Sequence, residues 1–178
     1  MGKKKAANRG GPFMAASVDE KYSKQLLSRS DRYIRTIKKM PLGPPMKKAR
    51  ITSGFGRRSD PFNRRLAFHA GIDFRGKIGD KILATADGVI KKSAYDKKGL
   101  GHYVTVRHGN GYETVFGHMS KRLLKKGDKV RRGQVVGLMG NTGRSTGPHL
   151  HYEIRYRGKA VDPKKYLSVA KLSFTVPM

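Results

Sequence analysis

Two histidines lie one residue apart in the segment GPHLHYE, directly after a glycine-rich loop. Side chains at positions i and i+2 of a β-strand point to the same face, so His149 and His151 would project together, with Glu153 beside them. The alternating residues on the opposite, apolar face would be Leu150, Tyr152 and Ile154. This alternation is typical of a half-buried strand, and its polar face is a candidate site.

A second polar pair lies upstream in the segment FHAGIDF, where His69 and Asp73 are four residues apart. This spacing lets both side chains share a face in either an extended segment or a helix. Together with His151 they form a set of two imidazoles and one carboxylate, which suits Zn²⁺ with an open fourth position for water. The same set suits Fe(II) in oxygenases, and His-x-His pairs also occur in cupin-type β-barrels. The residues alone leave these kinds of metal site open.

Two further histidines favour hydrolysis. His149 would share a face with His151, and His118 follows a strand-like run in TVFGHMS. A metallohydrolase needs groups that take a proton from water and stabilise the tetrahedral oxyanion, and imidazoles with pKa values near neutral can do both. His102 and His108 lie at the ends of predicted strands, and we expect them in turns or at the surface, without a function.

Charge dominates the composition. The 178 residues include 40 Lys and Arg against 12 Asp and Glu, a formal net charge of +28, with +11 in residues 1–50 and +17 in the remainder. Such a protein adheres to polyanions, which include nucleic acids, anionic cell-envelope polymers and phospholipid surfaces. The chain shows no zinc-finger spacing, RNP-like motif or evident helix-turn-helix, so we expect no specific nucleic-acid binding. It has no cysteine, which excludes disulfides and thiolate metal sites.

The N-terminal part is predicted to contain one helix. Residues 1–17 are basic and rich in Gly and Ala, and Ser17 with Glu20 resembles a capping box. Apolar residues then recur at helical spacing until Pro41 ends the run, which predicts a helix over about 18–39 with an apolar stripe that needs a partner. We expect that stripe to pack against the domain or against a second copy; the alternative is that the helix acts as a lid or inhibits the domain.

Short strands and glycine turns follow residue 50. Two strand-like runs flank RHGNG, whose Asn110-Gly111 pair predicts a hairpin turn. The segments starting at Gly79 (GDKI, then GVI) and at Gly127 (GDKV, then GQVV) repeat the same order of turn and strand. This repeat predicts a mainly β domain with two related halves. It also resembles half of a biotinyl- or lipoyl-carrier domain, but no lysine follows Met139 at the turn, so a carrier function is disfavoured.

The motifs SGFGRRSDPF, FHAGIDF, GHM and GNTGRSTGPHLHYEIR together resemble the lysostaphin/LytM-type zinc metalloendopeptidases that cut peptidoglycan. The resemblance covers about residues 50–167. It implies an antiparallel β-sheet catalytic domain of the barrel-sandwich-hybrid kind with an N-terminal helical extension. It also implies that Zn²⁺ is bound by His69, Asp73 and His151, and that His118 and His149 are catalytic.

Departures from the family pattern are few within the domain. Many relatives have tyrosine two residues before the catalytic histidine of the hairpin, where this chain has Phe116. Family members are exported, often behind a membrane anchor, so we expect an export signal or anchor that is not visible in this chain. Some members have lost zinc ligands and activate other enzymes, but all five site positions are intact here.

The resemblance therefore predicts a zinc-dependent endopeptidase that hydrolyses peptide cross-links of bacterial peptidoglycan in the cell envelope. Its expected partners are peptidoglycan and anionic envelope polymers; the sequence does not specify an oligomeric state. The alternatives are a non-catalytic envelope-binding or activator module and a basic nucleic-acid-binding protein with a structural metal. The predicted divisions are a basic tail (1–17), a helical extension (18–40), a Pro-rich linker (41–50), the LytM-type domain (51–168) and a C-terminal tail (169–178).

Overall fold

The computed structural model describes residues 20–47 and 50–172. Backbone contacts divide the chain into two compact units, residues 1–33 and 34–178. The expected flexible tail and the expected cap at Ser17 lie outside the described residues, and the domain boundaries given above stay predictions. Within the described ranges, no helix combines the length and the apolar character that a membrane span requires.

Twelve strands and two helices make up the regular structure of the described residues. The helices are α1 (Glu20–Lys38) and α2 (Lys164–Leu172). The strands are β1 (Arg50–Ser53), β2 (Gly56–Ser59), β3 (Leu66–His69), β4 (Ile72–Arg75), β5 (Lys81–Leu83), β6 (Gly88–Asp96), β7 (Gly101–His108), β8 (Tyr112–Arg122), β9 (Lys129–Val130), β10 (Val135–Met139), β11 (His149–Tyr156) and β12 (Lys159–Val161).

Ten of these strands form one antiparallel sheet, in which β1, β4, β11, β8, β7, β6 and β9 are successive hydrogen-bonded neighbours. β10 pairs with both β5 and β8, and β12 pairs with β11, while β2 and β3 form a separate two-stranded sheet. The predicted fold class, a mainly antiparallel β domain with an N-terminal helix, is confirmed. Strand β11 lies between β4 and β8, so its side chains are flanked on both sides.

The apolar face predicted for β11 is confirmed, but the strand is not half-buried, because His151 and Glu153 on its other face are buried as well. Leu150, Tyr152 and Ile154 are completely buried in the hydrophobic core. The ring centres of Phe74 and Phe116 lie 6.2 and 5.3 Å from the ring centre of Tyr152. The Tyr152 hydroxyl forms a hydrogen bond with the Thr85 hydroxyl at 2.9 Å, which satisfies its polar end inside the core. This packing fixes which face of β11 carries the histidines, because a one-residue slip would exchange the two faces.

The repeat seen in the sequence corresponds to two equivalent halves. The first half contains β5 and β6, and the second contains β9 and β10. β5 pairs with β10 and β6 pairs with β9, so both strands of one half are hydrogen-bonded to strands of the other. The turns before β5 and β9 are alike, because Asp80 accepts a hydrogen bond from the Lys77 amide and Asp128 accepts one from the Lys125 amide. The predicted hairpin is also present, since Asn110 and its glycine neighbour connect β7 to β8 with positive φ values of 57° and 81°.

An arginine side chain satisfies one carbonyl group in the last turn of α1 and one just beyond its end. The Arg132 guanidinium donates to the carbonyls of Ile37 and Met40, at 2.9 and 2.8 Å. The following proline-rich segment includes core residues, since Leu42 and Met46 are buried. The apolar residues of the α1 stripe are each 44–68% exposed: Tyr22, Leu26, Leu27, Tyr33, Ile34 and Ile37.

The expectation that His108 lies in a turn or at the surface is wrong. His108 is 1% exposed, and its ring contacts the Asp87 carbonyl at 2.9 Å and the Thr114 hydroxyl at 2.8 Å. Burial is the largest influence on the pKa of His108 and lowers it, so the uncharged ring is favoured. A buried ring with both nitrogens hydrogen-bonded packs as a core residue between β7 and β8, which a position at a strand end does not reveal.

Candidate metal centre and its groove

Strand register brings the candidate ligands together. His151 on β11 is directly opposite Asp73 on β4, so the two side chains share a face. His69 comes from the end of β3, in the two-stranded sheet, and reaches the same point after a two-residue connection to β4. A Cβ at Gly71 in that connection would collide with the Tyr152 carbonyl, so only glycine allows the chain to turn this close to β11. His69 and Asp73 therefore lie on two strands of different sheets, and not on one strand or helix.

The three candidate ligands present their acceptor atoms to one point. His69 Nε2 lies 3.1 Å from Asp73 Oδ1, His151 Nδ1 lies 3.0 Å from the same oxygen, and the two ring nitrogens are 3.0 Å apart. All three side chains are buried.

The remaining ring nitrogens show which atoms of the triangle can bind a metal. His69 Nδ1 lies 2.6 Å from the Gly54 carbonyl, and His151 Nε2 lies 3.1 Å from Glu153 Oε1. A carbonyl can only accept, and an ionised carboxylate likewise only accepts, so these two nitrogens carry the protons. The nitrogens that face Asp73 are then the ones that can offer a lone pair to a cation, which would displace any proton held there. Such hydrogen bonds fix the tautomer and orientation of metal-binding histidines.

The triangle fits a small tetrahedral cation. With metal–ligand bonds of about 2.0–2.1 Å, two ligand atoms in a tetrahedral zinc site are about 3.3–3.4 Å apart. The observed separations of 3.0–3.1 Å are close to this value. Two nitrogens and one carboxylate oxygen leave a fourth position open toward the groove, which is the arrangement of catalytic zinc sites.

Electrostatics at the triangle favour a positive charge. Burial lowers the pKa of His151, but hydrogen bonds to Asp73 and Glu153 outweigh burial and raise it to about 9. Burial likewise raises the pKa of Asp73, yet the hydrogen bonds from His151 and His69 outweigh it, and the net effect is a pKa well below the usual range. Asp73 is therefore ionised at neutral pH, as a metal ligand must be.

Glu153 contacts both His151 and an arginine. One carboxylate oxygen accepts the hydrogen bond from His151, and the other is bound by the Arg155 guanidinium at 2.6 and 2.7 Å. Burial raises the pKa of Glu153, but the hydrogen bond from His151 and the charges of His151 and Arg155 lower it overall. Glu153 therefore stays ionised and holds the His151 ring in place.

His118 reaches the same groove through an irregularity in β8. Its φ of 59° is in the left-handed region, and the register between β7 and β8 shifts nearby. Shifts of this kind re-aim a side chain and occur next to active sites. The ring Nδ1 donates to the Thr142 carbonyl at 2.8 Å, which leaves Nε2 as an acceptor. Burial lowers the pKa of His118 to about 4, although the hydrogen bond to Thr142 partly opposes the shift.

The loop that holds the Thr142 carbonyl packs backbone against backbone. Gly101 and Gly143 have φ values of 62° and 72°, and a Cβ on either glycine would collide with the other loop. Side chains at these two positions would therefore push the loops apart. The two glycines thus help to hold the acceptor that orients His118.

His149 completes the group of histidines around the groove. Its Nδ1 donates to the Gly147 carbonyl at 2.8 Å, with the Ser145 hydroxyl 3.1 Å away, so its Nε2 is the free acceptor. This Nε2 lies 3.8 Å from Asp73 Oδ1, and the ring centre lies 4.6 Å from that of His118. All five residues that the sequence singled out therefore line one groove of about 460 Å³.

Three arginines also line this groove, and residue types alone did not single them out. Arg58 lies 3.6 Å from the outer oxygen of Asp73. Arg144 forms a two-point ion pair with Asp60, at 2.7 and 2.9 Å, and lies over the Phe62 ring. This pair joins the loop after β10 to the β2–β3 hairpin. Arg58, Asp60 and Arg144 lie inside the motifs on which the family resemblance rests. Those motifs were the signal in the sequence that could have identified them as residues of the site. The third arginine, Arg75, follows Asp73 on β4.

Comparison with known proteins agrees with this geometry. Residues 67–163 match peptidase family M23, and the chain belongs to that family. It is 48% identical over 123 residues to the peptidoglycan DD-endopeptidase ShyA of Vibrio cholerae serotype O1, a match that covers 68% of this chain and 28% of ShyA. The chain thus spans only between a quarter and a third of the length of such relatives.

Solved structures show the same domain. A zinc-containing peptidase from Vibrio cholerae superposes with a TM-score of 0.62 at 40% identity, covering 66% of this chain and 37% of the other. The catalytic domain of lysostaphin from Staphylococcus simulans also superposes with a TM-score of 0.62, at 30% identity, covering 67% of this chain and 92% of that domain. The predicted resemblance to lysostaphin/LytM-type metalloendopeptidases is therefore confirmed.

Proposed function

We propose that this protein is a zinc-dependent endopeptidase that hydrolyses peptide cross-links of bacterial peptidoglycan. The observation that carries the proposal is the triangle of three buried acceptor atoms, with two more imidazoles facing the same point. The chain's relatives include a peptidoglycan DD-endopeptidase and a zinc-containing peptidase, which supports both the substrate class and the metal.

In this proposal His69, Asp73 and His151 hold the zinc ion through Nε2, Oδ1 and Nδ1. When bound there, zinc acidifies water and polarises a carbonyl oxygen. Gly54 and Glu153 keep the two imidazoles in the tautomers that leave these atoms free. The retention of all three ligands argues against a non-catalytic binding module.

His118 and His149 are proposed to move the protons of the reaction. Each holds its Nδ1–H on a backbone carbonyl and presents Nε2 to the groove. One ring accepts the proton of the attacking water at its Nε2. The other, in the form that is also protonated at Nε2, donates to the developing oxyanion. Peptide hydrolysis finally places a proton on the leaving nitrogen, so that nitrogen must lie within reach of these two rings.

Digestion of purified sacculi tests this function. Walls cross-linked through diaminopimelate and walls with glycine bridges are incubated with the protein, and the released fragments are resolved by mass. We expect cross-linked dimers to disappear from at least one wall type, with the loss abolished by a chelator and restored by zinc. Intact dimers from both wall types, with protein shown to contain zinc, would refute the proposed activity.

The charge of the chain leads to a separate proposal about location. We expect the protein to act in the cell envelope, where its net charge of +28 concentrates it on peptidoglycan and its anionic polymers. Binding to sacculi, measured by co-sedimentation, should fall at least about tenfold between 50 mM and 300 mM NaCl, because salt screens exposed charges. Binding that does not change with salt would contradict an electrostatic origin.

A further inference from the structure

The groove contains one arginine without an acidic partner among the described residues. Arg144 is paired with Asp60, and Arg58 lies beside Asp73. Arg75 is exposed, lines the groove and has no hydrogen bond or ion pair within the described part of the chain. Its guanidinium is therefore available to a ligand.

Strand register places Arg75 next to Asp73 and His149. Arg75 follows Asp73 by two residues on β4, so both side chains point to the groove face. It is directly opposite His149 on β11, and on its other side it is directly opposite Arg50 on β1. The side chain of Arg75 thus lies one step along the strand from the metal ligands, between a proposed proton-transfer residue and a second arginine.

The opposed arginines are an unfavourable pair unless an anion joins them. Like charges directly opposite each other on antiparallel strands repel and destabilise the sheet. Arg50 is also exposed and, like Arg75, has no acidic partner among the described residues. A carboxylate between the two guanidinium groups would relieve the repulsion and accept charge-assisted hydrogen bonds from both.

We propose that Arg75, assisted by Arg50, binds a substrate carboxylate located on the carbon bonded to the scissile nitrogen. This inference rests on the proposed function, in which His118 and His149 supply the proton that the leaving nitrogen needs. That nitrogen must therefore lie on the side of the site that His118 and His149 occupy. Arg75 is on the same side, because it is directly opposite His149 in the sheet.

This subsite distinguishes between the two kinds of cross-link. In a D-alanyl–diaminopimelate bond, the carbon next to the leaving nitrogen carries a free carboxylate. In the interior of a glycine bridge, that carbon carries the next peptide group and has no charge. Arg75 is thus a specificity-determining residue that favours diaminopimelate cross-links.

Two substrates that differ in one group test the proposal. One is a purified D-alanyl–diaminopimelate cross-linked dimer, and the other is the same dimer with that carboxylate converted to a carboxamide. We expect wild-type kcat/KM to be at least about tenfold higher for the carboxylate, as the loss of a hydrogen-bonded charge pair implies. Arg75→Ala should reduce the preference for the carboxylate over the carboxamide to less than about twofold.

Matched variants control for the loss of charge alone. Arg131→Ala also removes an exposed arginine, from a position outside the groove, and should keep the wild-type preference. Arg50→Ala should reduce the preference only in part. A preference retained by Arg75→Ala, or one lost equally in Arg131→Ala, would overturn the proposal.

A binding measurement separates this subsite from the hydrolytic function. The amine-side product peptide and its carboxamide are titrated calorimetrically into wild type and Arg75→Ala. Tighter binding of the carboxylate form to wild type, and not to Arg75→Ala, would support the subsite even if neither dimer were hydrolysed. Equal binding of the two peptides by wild type would overturn the subsite even if both dimers were cleaved.

Discussion

Replacing His149 by alanine is expected to lower kcat by at least about a hundredfold while zinc stays bound. A positioned acid–base group contributes roughly 10²–10⁴-fold to such reactions, and His149 is not part of the ligand triangle. Its Nε2 is instead the free acceptor beside Asp73, held by the hydrogen bond from its Nδ1 to Gly147. The measurement is kcat on a purified cross-linked dimer, together with zinc content per chain after gel filtration.

His102→Ala is the matched control for this variant. His102 is also a half-buried histidine, but its ring packs at a tilt against that of Tyr95, with ring centres 4.6 Å apart, and does not line the groove. We expect its kcat and zinc content to be close to wild type. Near-normal activity of His149→Ala would refute the assignment of His149 as a proton-transfer residue.

Replacing His151 by alanine should remove both zinc and activity. The variant loses one of the three ligand atoms. It also removes the imidazole that donates a hydrogen bond to the buried Glu153, which keeps only its ion pair with Arg155. Zinc affinity, measured by competition with a chromogenic chelator, should fall by more than the roughly 10–100-fold typical of losing a hydrogen-bond partner of a ligand.

Glu153→Gln provides a graded comparison, because it keeps all three ligands and removes only the charge that orients His151. Its zinc affinity should lie between those of wild type and His151→Ala. A His151→Ala protein that binds zinc as tightly as Glu153→Gln would show that His151 is not a ligand.

Much of the site could be predicted because it depends on local pattern. The two-residue period of β11 identified the face that carries His149 and His151, and the place of Leu150, Tyr152 and Ile154 in the hydrophobic core confirms it. The Asn-Gly turn and the repeated GDK turns likewise encode their conformations within a few residues. The family motifs then indicated which polar residues belong together.

Features that depend on pairing between distant strands could not be predicted. The left-handed backbone at His118 follows from a register shift between β7 and β8, and residue type does not reveal such a shift. The opposition of Arg50 and Arg75 similarly requires the register of β1 against β4. His108 was misassigned because a position at a strand end does not show that Thr114 and the Asp87 carbonyl are close enough to bind its ring.

Zinc titration of the chelator-treated protein tests whether His69, Asp73 and His151 form a catalytic zinc centre. Loss of a purified cross-linked dimer is measured as zinc is added in fractions of an equivalent. Because one triangle of three ligands forms the proposed centre, activity should rise in proportion to zinc and reach a plateau at one ion per chain. Activity that is unaffected by complete removal of zinc, or full zinc binding without any dimer loss, would show that the triangle is not a catalytic zinc centre.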